Sequence, residues 1–200
     1  MTDMRRVAVI GGSCTGKTTL SRELSGRLGV PHIELDALHH DPGWQEAPAE
    51  VLQARVDAAL EAAPAGWIAD GNYHGKIGTS VLERADTVVL LDLPHRVALR
   101  RVLWRTLNRA ITGKELWNGN RETFRNAFSR DSIVWWVIRH HGSHRTKWGP
   151  RLAPLTHVRV VRLRSPREVR AWLQSIQATE PMSGSSKGSE RQKTPPLAET

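Results

Sequence analysis

Two kinds of residue in this chain have the type and spacing to work on phosphate. Gly11-Gly12-Ser13-Cys14-Thr15-Gly16-Lys17-Thr18 fits G-x-x-x-x-G-K-[ST], a phosphate-binding loop. Glycines let such a backbone curl until successive N–H groups point at one anion. The helix expected after it adds partial positive charge at its N-terminus. Lys17 then reaches the β- and γ-phosphates of ATP, Thr18 offers a hydroxyl to Mg²⁺, and the nucleotide cradle runs on to Thr19. Asp36 ends the second candidate strand, and Asp70 ends an apolar one. At Asp70, with Gly71 next to it, a carboxylate can orient the water shell of Mg²⁺; its alternative is to cap the following turn.

These side chains need a frame that brings three separated segments together. Short apolar runs at 5–10, 32–35, 67–70, 87–91 and 157–163 read as strands. Helical patterns at 18–28, 48–61, 95–111, 121–141 and 166–176 lie between and after them. Alternation of this kind predicts an α/β fold: a five-stranded parallel sheet covered by helices on both faces. Ligands of such sheets bind at the carboxyl ends of the strands. Polar residues follow four of the five strand ends, at Gly11 to Thr18, Asp36 to His40, Asp70 to His74, and Asp92.

The 200 residues suit one domain with a real core, expected over 1–178. From 179 to 200 the chain turns to Ser, Gly, Pro, Thr, Glu and Lys, a composition that predicts a disordered tail. No apolar run reaches membrane-spanning length, and the apolar stretch after Arg5 and Arg6 is too short for a signal peptide, so the expectation is a cytoplasmic chain with no membrane partner. A single cysteine, Cys14, excludes an internal disulfide and reads as a small filler of the loop rather than a reactive thiol. The net charge of +9 is concentrated: 96–151 holds thirteen Lys or Arg against three acidic residues. Such a segment can clamp phosphates or bind nucleic acid.

The phosphate loop occurs in order with Leu35-Asp36-Ala37-Leu38-His39-His40, Asp41-Pro42-Gly43-Trp44, Ile68-Ala69-Asp70-Gly71-Asn72-Tyr73, Leu91-Asp92-Leu93-Pro94 and Leu116-Trp117-Asn118-Gly119-Asn120-Arg121-Glu122. With these motifs, residues 5 to 176 resemble the adenylate-kinase-like P-loop proteins labelled "DNA topology modulation protein". More distantly, the chain is similar to the nucleoside monophosphate kinases. The resemblance implies a P-loop NTPase fold with an arginine-rich helical lid, ATP and Mg²⁺ as cofactors, and phosphoryl transfer. The monophosphate kinases carry Asp-Gly-Phe-Pro-Arg where this chain has Asp70-Gly71-Asn72-Tyr73-His74; the carboxylate and glycine are kept, the phosphate-gripping arginine is not.

Under that resemblance Asp36 is a base for the acceptor hydroxyl or sits near the metal, with a turn cap as its alternative. Arg101 and Arg105 take the place of the arginines that hold the donor base and phosphates. Spacing alone reads Arg101, Arg105 and Arg109 as a solvated ridge opposite a core stripe of Leu99, Val102, Leu103, Thr106 and Ala110. Arginine suits phosphate because its planar fork is bidentate and always charged. The lid is expected at about 111–125, where Gly113, Asn118, Gly119 and Asn120 supply turns and Arg121 and Arg125 face the moving phosphoryl group or merely keep the surface soluble. The loop at Ser165 and Pro166 is placed along the donor base.

His39 and His40 are adjacent and therefore poor chelators of one ion; His39 reads as a substrate contact or a surface residue. Trp44 stacks on a ring or anchors its loop, and Tyr73 contacts acceptor or packs. The leading function is therefore an ATP-dependent kinase of a small, nucleotide- or nucleoside-like acceptor held by Asp36, His39, Trp44, Asp70, Gly71, Tyr73 and Arg125. A nucleic-acid-associated ATPase and an ATP-binding regulator stand as alternatives.

Overall fold

The computed structural model describes residues 4–112, 118 and 148–176. Strand β1 (Arg6–Gly11) is central, and the phosphate loop leaves its carboxyl end. Its neighbours are β5 (Trp67–Asp70) and β6 (Thr87–Leu91), flanked in turn by β2 (His32–Glu34) and β7 (Arg159–Leu163). The order is β2-β5-β1-β6-β7 and every pairing is parallel. This is the predicted five-stranded sheet. Parallel strands buried on both faces read as continuous apolar runs, which is why β1, β5 and β6 were legible.

Side chains alternate between two cores. On one face Ala8, Ile10, Ile33, Ala69, Val88 and Leu90 pack against Leu52, Val56 and Leu60 of α3 (Ala49–Glu61) and against buried Trp148. On the other, Val7, Val9, Ile68, Val89, Leu91 and Leu163 meet Leu20, Leu24 and Leu28 of α1 (Lys17–Leu28) and Leu173 of α7 (Pro166–Ser175). Helix α6 (His95–Thr112) follows β6, with Ala98 and Val102 buried against the phosphate loop.

Several expectations need correction. Strand β2 stops at Glu34 because Leu35 opens a five-residue helix, α2 (Leu35–His39), where a loop was expected. After it come a hairpin of β3 (His40–Asp41) and β4 (Gln45–Glu46) around a 3-10 turn, and two one-turn helices, α4 (His74–Ile77) and α5 (Ser80–Glu83). Elements this short carry too few residues to show a period. Strand β7 begins two residues late, at Arg159, because Val158 N still donates to the Leu155 carbonyl at 3.2 Å in the preceding turn, and the ladder starts with Arg159 N on the Asp86 carbonyl at 2.9 Å. Ser165 caps α7: its hydroxyl accepts from Glu168 N, while the Glu168 carboxylate accepts from Arg164 N, a capping box that gives Ser165 a helical role. The expected helix at 121–141, most of the expected lid and the expected tail lie outside the described residues.

At the edge of the sheet Asp92, almost fully buried, accepts from Arg162 Nε at 2.9 Å and Nη2 at 2.7 Å. The pair ties the end of β6 to β7, beside the mouth of the phosphate loop.

Candidate active site

Helix α1 begins with no side chain capping its N-terminus, so its first N–H groups remain available to an anion. Gly16 precedes it in the left-handed conformation, φ 96°, and a Cβ there would lie 3.0 Å from Arg101 Nη1. Only glycine combines that backbone with that contact. Lys17 folds back over the loop, its ammonium donating to the carbonyls of Gly11 (3.2 Å) and Gly12 (3.1 Å). Burial holds the Lys17 pKa below its ordinary value, against the opposing pull of Asp36 and Asp70. Thr15 Oγ1 donates to the Gly12 carbonyl at 2.8 Å and braces the turn from inside. Ser13 is half-buried in the loop and Thr19 is exposed on α1. Cys14 packs partly buried beside Leu99, Ala98 and Val102, in keeping with a filler.

The carboxylates arrive from two neighbouring strand ends. Glu34 and Asp70 are register partners across β2 and β5. Thr18 Oγ1 donates to Glu34 Oε1 at 3.3 Å, and Arg22 reaches its other oxygen. Asp70 Oδ1 lies 3.1 Å from His32 Nε2, while Asp70 Oδ2 is buried with no partner among the described residues. Glu34 and His32 escaped the sequence reading. Glu34 lies two residues before Asp36, and strand alternation was the signal that could have found it. The donor set is a hydroxyl and two carboxylates, one of which keeps an orphaned oxygen. These are the hard oxygen ligands that suit Mg²⁺. Among the described residues no group of three or more His, Cys, Asp or Glu converges tightly enough to hold an ion alone.

A second wall beside the phosphate loop is built by α2 and the loop after β5. Tyr73 donates its hydroxyl to Asp36 Oδ1 at 2.7 Å. Burial, and then the Asp36 charge, push the Tyr73 pKa well above its ordinary value. The phenol therefore stays a proton donor to Asp36. Gly71 adopts φ 147° and would press a Cβ to 2.7 Å from Leu35 Cβ, so only glycine lets β5 pass this close to α2. His39 is buried, 3% exposed, with its ring 4.5 Å from Tyr73 and 4.6 Å from His40. That burial removes it from the surface and makes it a support of the wall; its pKa is lowered by burial, then by Lys76. Trp44 is partly exposed at φ 60°, edge-on to His40 at 5.5 Å, and lines the outer side. Asn118, at the expected lid, donates to the carbonyls of Ala37 (3.3 Å) and His40 (2.5 Å).

Helix α6 supplies cations. Arg101 Nη1 donates to the Thr15 carbonyl inside the phosphate loop. The Arg105 charge is felt at Lys17, and its Nε is buried without a partner among the described residues. The two arginines thus flank Ala98 and Val102 and turn toward the loop, not to a solvated ridge opposite the core. Leu103, expected in the core stripe, is 48% exposed; Ala98 is buried in its stead. The side chains of Thr106, Arg109 and Ala110, and all of Arg121 and Arg125, lie outside the described residues.

No family model matches the chain, and no curated protein matches it. Among solved structures it is similar to shikimate kinase from Bacteroides thetaiotaomicron, with a TM-score of 0.51 and 16% identity over 86% of this chain and 95% of that one. It is likewise similar to shikimate kinase from Acinetobacter baumannii in complex with shikimate, with a TM-score of 0.53 and 16% identity over 86% of this chain and 90% of that one. At this identity the likeness speaks for architecture: the chain has the P-loop kinase fold that these shikimate kinases share.

Proposed function

We propose that this chain is an ATP- and Mg²⁺-dependent phosphotransferase acting on a hydroxyl of a small, nucleotide- or nucleoside-like acceptor, an adenylate-kinase-like member of the "DNA topology modulation protein" group. One observation carries the reading. The Lys17 ammonium lies on the carbonyls of Gly11 and Gly12, the neighbouring Thr18 hydroxyl donates to Glu34, and Glu34 is the register partner of Asp70. The phosphate-loop cation and a pair of carboxylates thus meet at the carboxyl edge of the sheet, where Asp36 follows on α2. The fold of the shikimate kinases, which act on a small molecule, supports the same reaction class.

In this reading the loop N–H groups and Lys17 hold the triphosphate, and Thr18, Glu34 and Asp70 hold Mg²⁺ or its waters. The ion would neutralise charge on the β- and γ-oxygens. Asp36, held by Tyr73, accepts the acceptor hydroxyl proton as the new O–P bond forms and the bond to the β–γ bridging oxygen breaks. Arg101 and Arg105 draw charge toward the donor phosphates. Trp44 and Gly71 bound the acceptor; Arg121 and Arg125 of the expected lid lie outside the described residues.

The test is a screen of hydroxyl-bearing acceptors by ADP release, run with and without Mg²⁺ and beside Lys17→Met. Acceptor- and Mg²⁺-dependent release, reduced at least about a hundredfold in Lys17→Met, is expected. Release that ignores every acceptor would overturn the transferase reading and leave an ATPase.

A further inference from the structure

The loop after β5 grips the phosphate loop through a residue with no part in the chemistry above. Asn72 faces the first peptide of that loop with both ends of its amide. Gly11 N donates to Asn72 Oδ1 at 3.3 Å, and Asn72 Nδ2 donates back to the Gly11 carbonyl. That carbonyl also accepts from Lys17 Nζ. A carbonyl oxygen has two lone pairs, and here both are in use. When a nucleotide arrives, Lys17 must leave the carbonyls of Gly11 and Gly12 for phosphate oxygen. Without Asn72 the departure would strip the buried Gly11 carbonyl of its side-chain donors, and an unpaired buried acceptor opposes the move.

We infer that Asn72 is a positioning residue: its amide clamps the Gly11 peptide so that Lys17 can exchange loop carbonyls for phosphate without leaving Gly11 unpaired. The placement adds a second consequence. Asn72 lies between Asp70, which meets His32, and Tyr73, which meets Asp36. The same four-residue stretch therefore touches the metal side, the donor loop and the acceptor base. The chemistry asks for an amide specifically: a carboxylate would set an acceptor against the Gly11 carbonyl, and an apolar side chain would supply neither bond.

The inference rests on the phosphate-loop reading, and its test separates the two. Asn72→Ala and the isosteric Asn72→Asp are compared with the wild type. Binding of a non-hydrolysable ATP analogue is measured calorimetrically at a temperature where thermal melts show all three folded. Hydrogen exchange of the Gly11 amide is followed without nucleotide. The expected result is about tenfold weaker analogue binding in both variants, with Asn72→Asp at least as weak as Asn72→Ala, and faster Gly11 exchange in Asn72→Ala, which alone loses the acceptor of the Gly11 N–H. A merely structural role would lower the melting temperature and leave the affinity of the folded protein unchanged, which overturns the inference. So would equal Gly11 protection in the wild type and Asn72→Ala. A wild type that binds no analogue refutes the phosphate-loop reading itself, whereas a binding wild type with two normally binding variants refutes only the role of Asn72.

Discussion

Tyr73 and Asp36, thirty-seven residues apart in sequence, meet in a 2.7 Å hydrogen bond that orients one carboxylate oxygen. The Tyr73 pKa is raised from 10.0 by burial and the Asp36 charge. A folded pKa above the unfolded one means the folded state holds its proton longer. Its stabilising contribution is complete below pH 10 and is lost as pH rises beyond it. Tyr73→Phe is expected to flatten the fall of the urea midpoint above about pH 10, where unfolded tyrosine ionises. The same variant should slow transfer about tenfold with ATP affinity unchanged, since only the acceptor base loses its partner. Unaltered turnover would remove Asp36 from the chemistry.

Arg101 places its fork on the Thr15 carbonyl, inside the loop that holds the donor. Arg101→Lys should weaken nucleotide binding about as much as Arg101→Ala, on the order of 2 kcal/mol, because lysine lacks the planar fork. Titration calorimetry with an ATP analogue measures it. A normally binding Arg101→Lys protein would return the residue to the ordinary surface.

His39 is buried beside Lys76, with Nε2 to Nζ at 3.4 Å, and beside Glu46 at 3.5 Å; His40, Tyr73 and Asp36 complete its surroundings. Its pKa is lowered from 6.5, first by burial. The folded state therefore binds fewer protons than the unfolded one below pH 6.5, so stability climbs with pH through that window and levels above it. His39→Phe should flatten that climb by up to about 1.4 kcal/mol per pH unit. Thermal melts at several pH values follow it. An unchanged slope would mean that another group titrates.

Gly71→Ala forces a Cβ against Leu35, the residue before Asp36, at a backbone angle that alanine resists. A loss of about 1–3 kcal/mol in stability is expected from the clash, with a fall in acceptor turnover exceeding any loss of nucleotide affinity, because the displaced element is α2. Chemical denaturation together with calorimetry distinguishes the two effects. Wild-type stability would show that α2 gives way freely.

The sequence by itself determined the parts of this protein that are local. The phosphate loop is one contiguous motif between an apolar strand and a helix, and its chemistry follows from Gly16, Lys17 and Thr18 in a row. Strands β1, β5 and β6 were readable because a strand buried on both faces must be apolar at nearly every position, whereas the edge strands β2 and β7 keep polar and exposed positions. Asp36 and Asp70 were readable because each ends a candidate strand. Only the tertiary structure decided what those carboxylates touch. The bonds of Tyr73 to Asp36, Asn72 to Gly11 and Arg101 to Thr15 join residues 37, 61 and 86 positions apart. Glu34 and Asp70 stand side by side only because β2 and β5 pair in one register. Helix α2, five residues long, leaves no period to detect, yet it sets where Asp36 stands. The outward turn of Leu103 and the inward turn of Arg101 could not be read from spacing, because a helical period gives which residues share a face but not which face meets the phosphate loop. Motifs are written in neighbours along the chain; a site is made by strand order and register, which bring distant neighbours together.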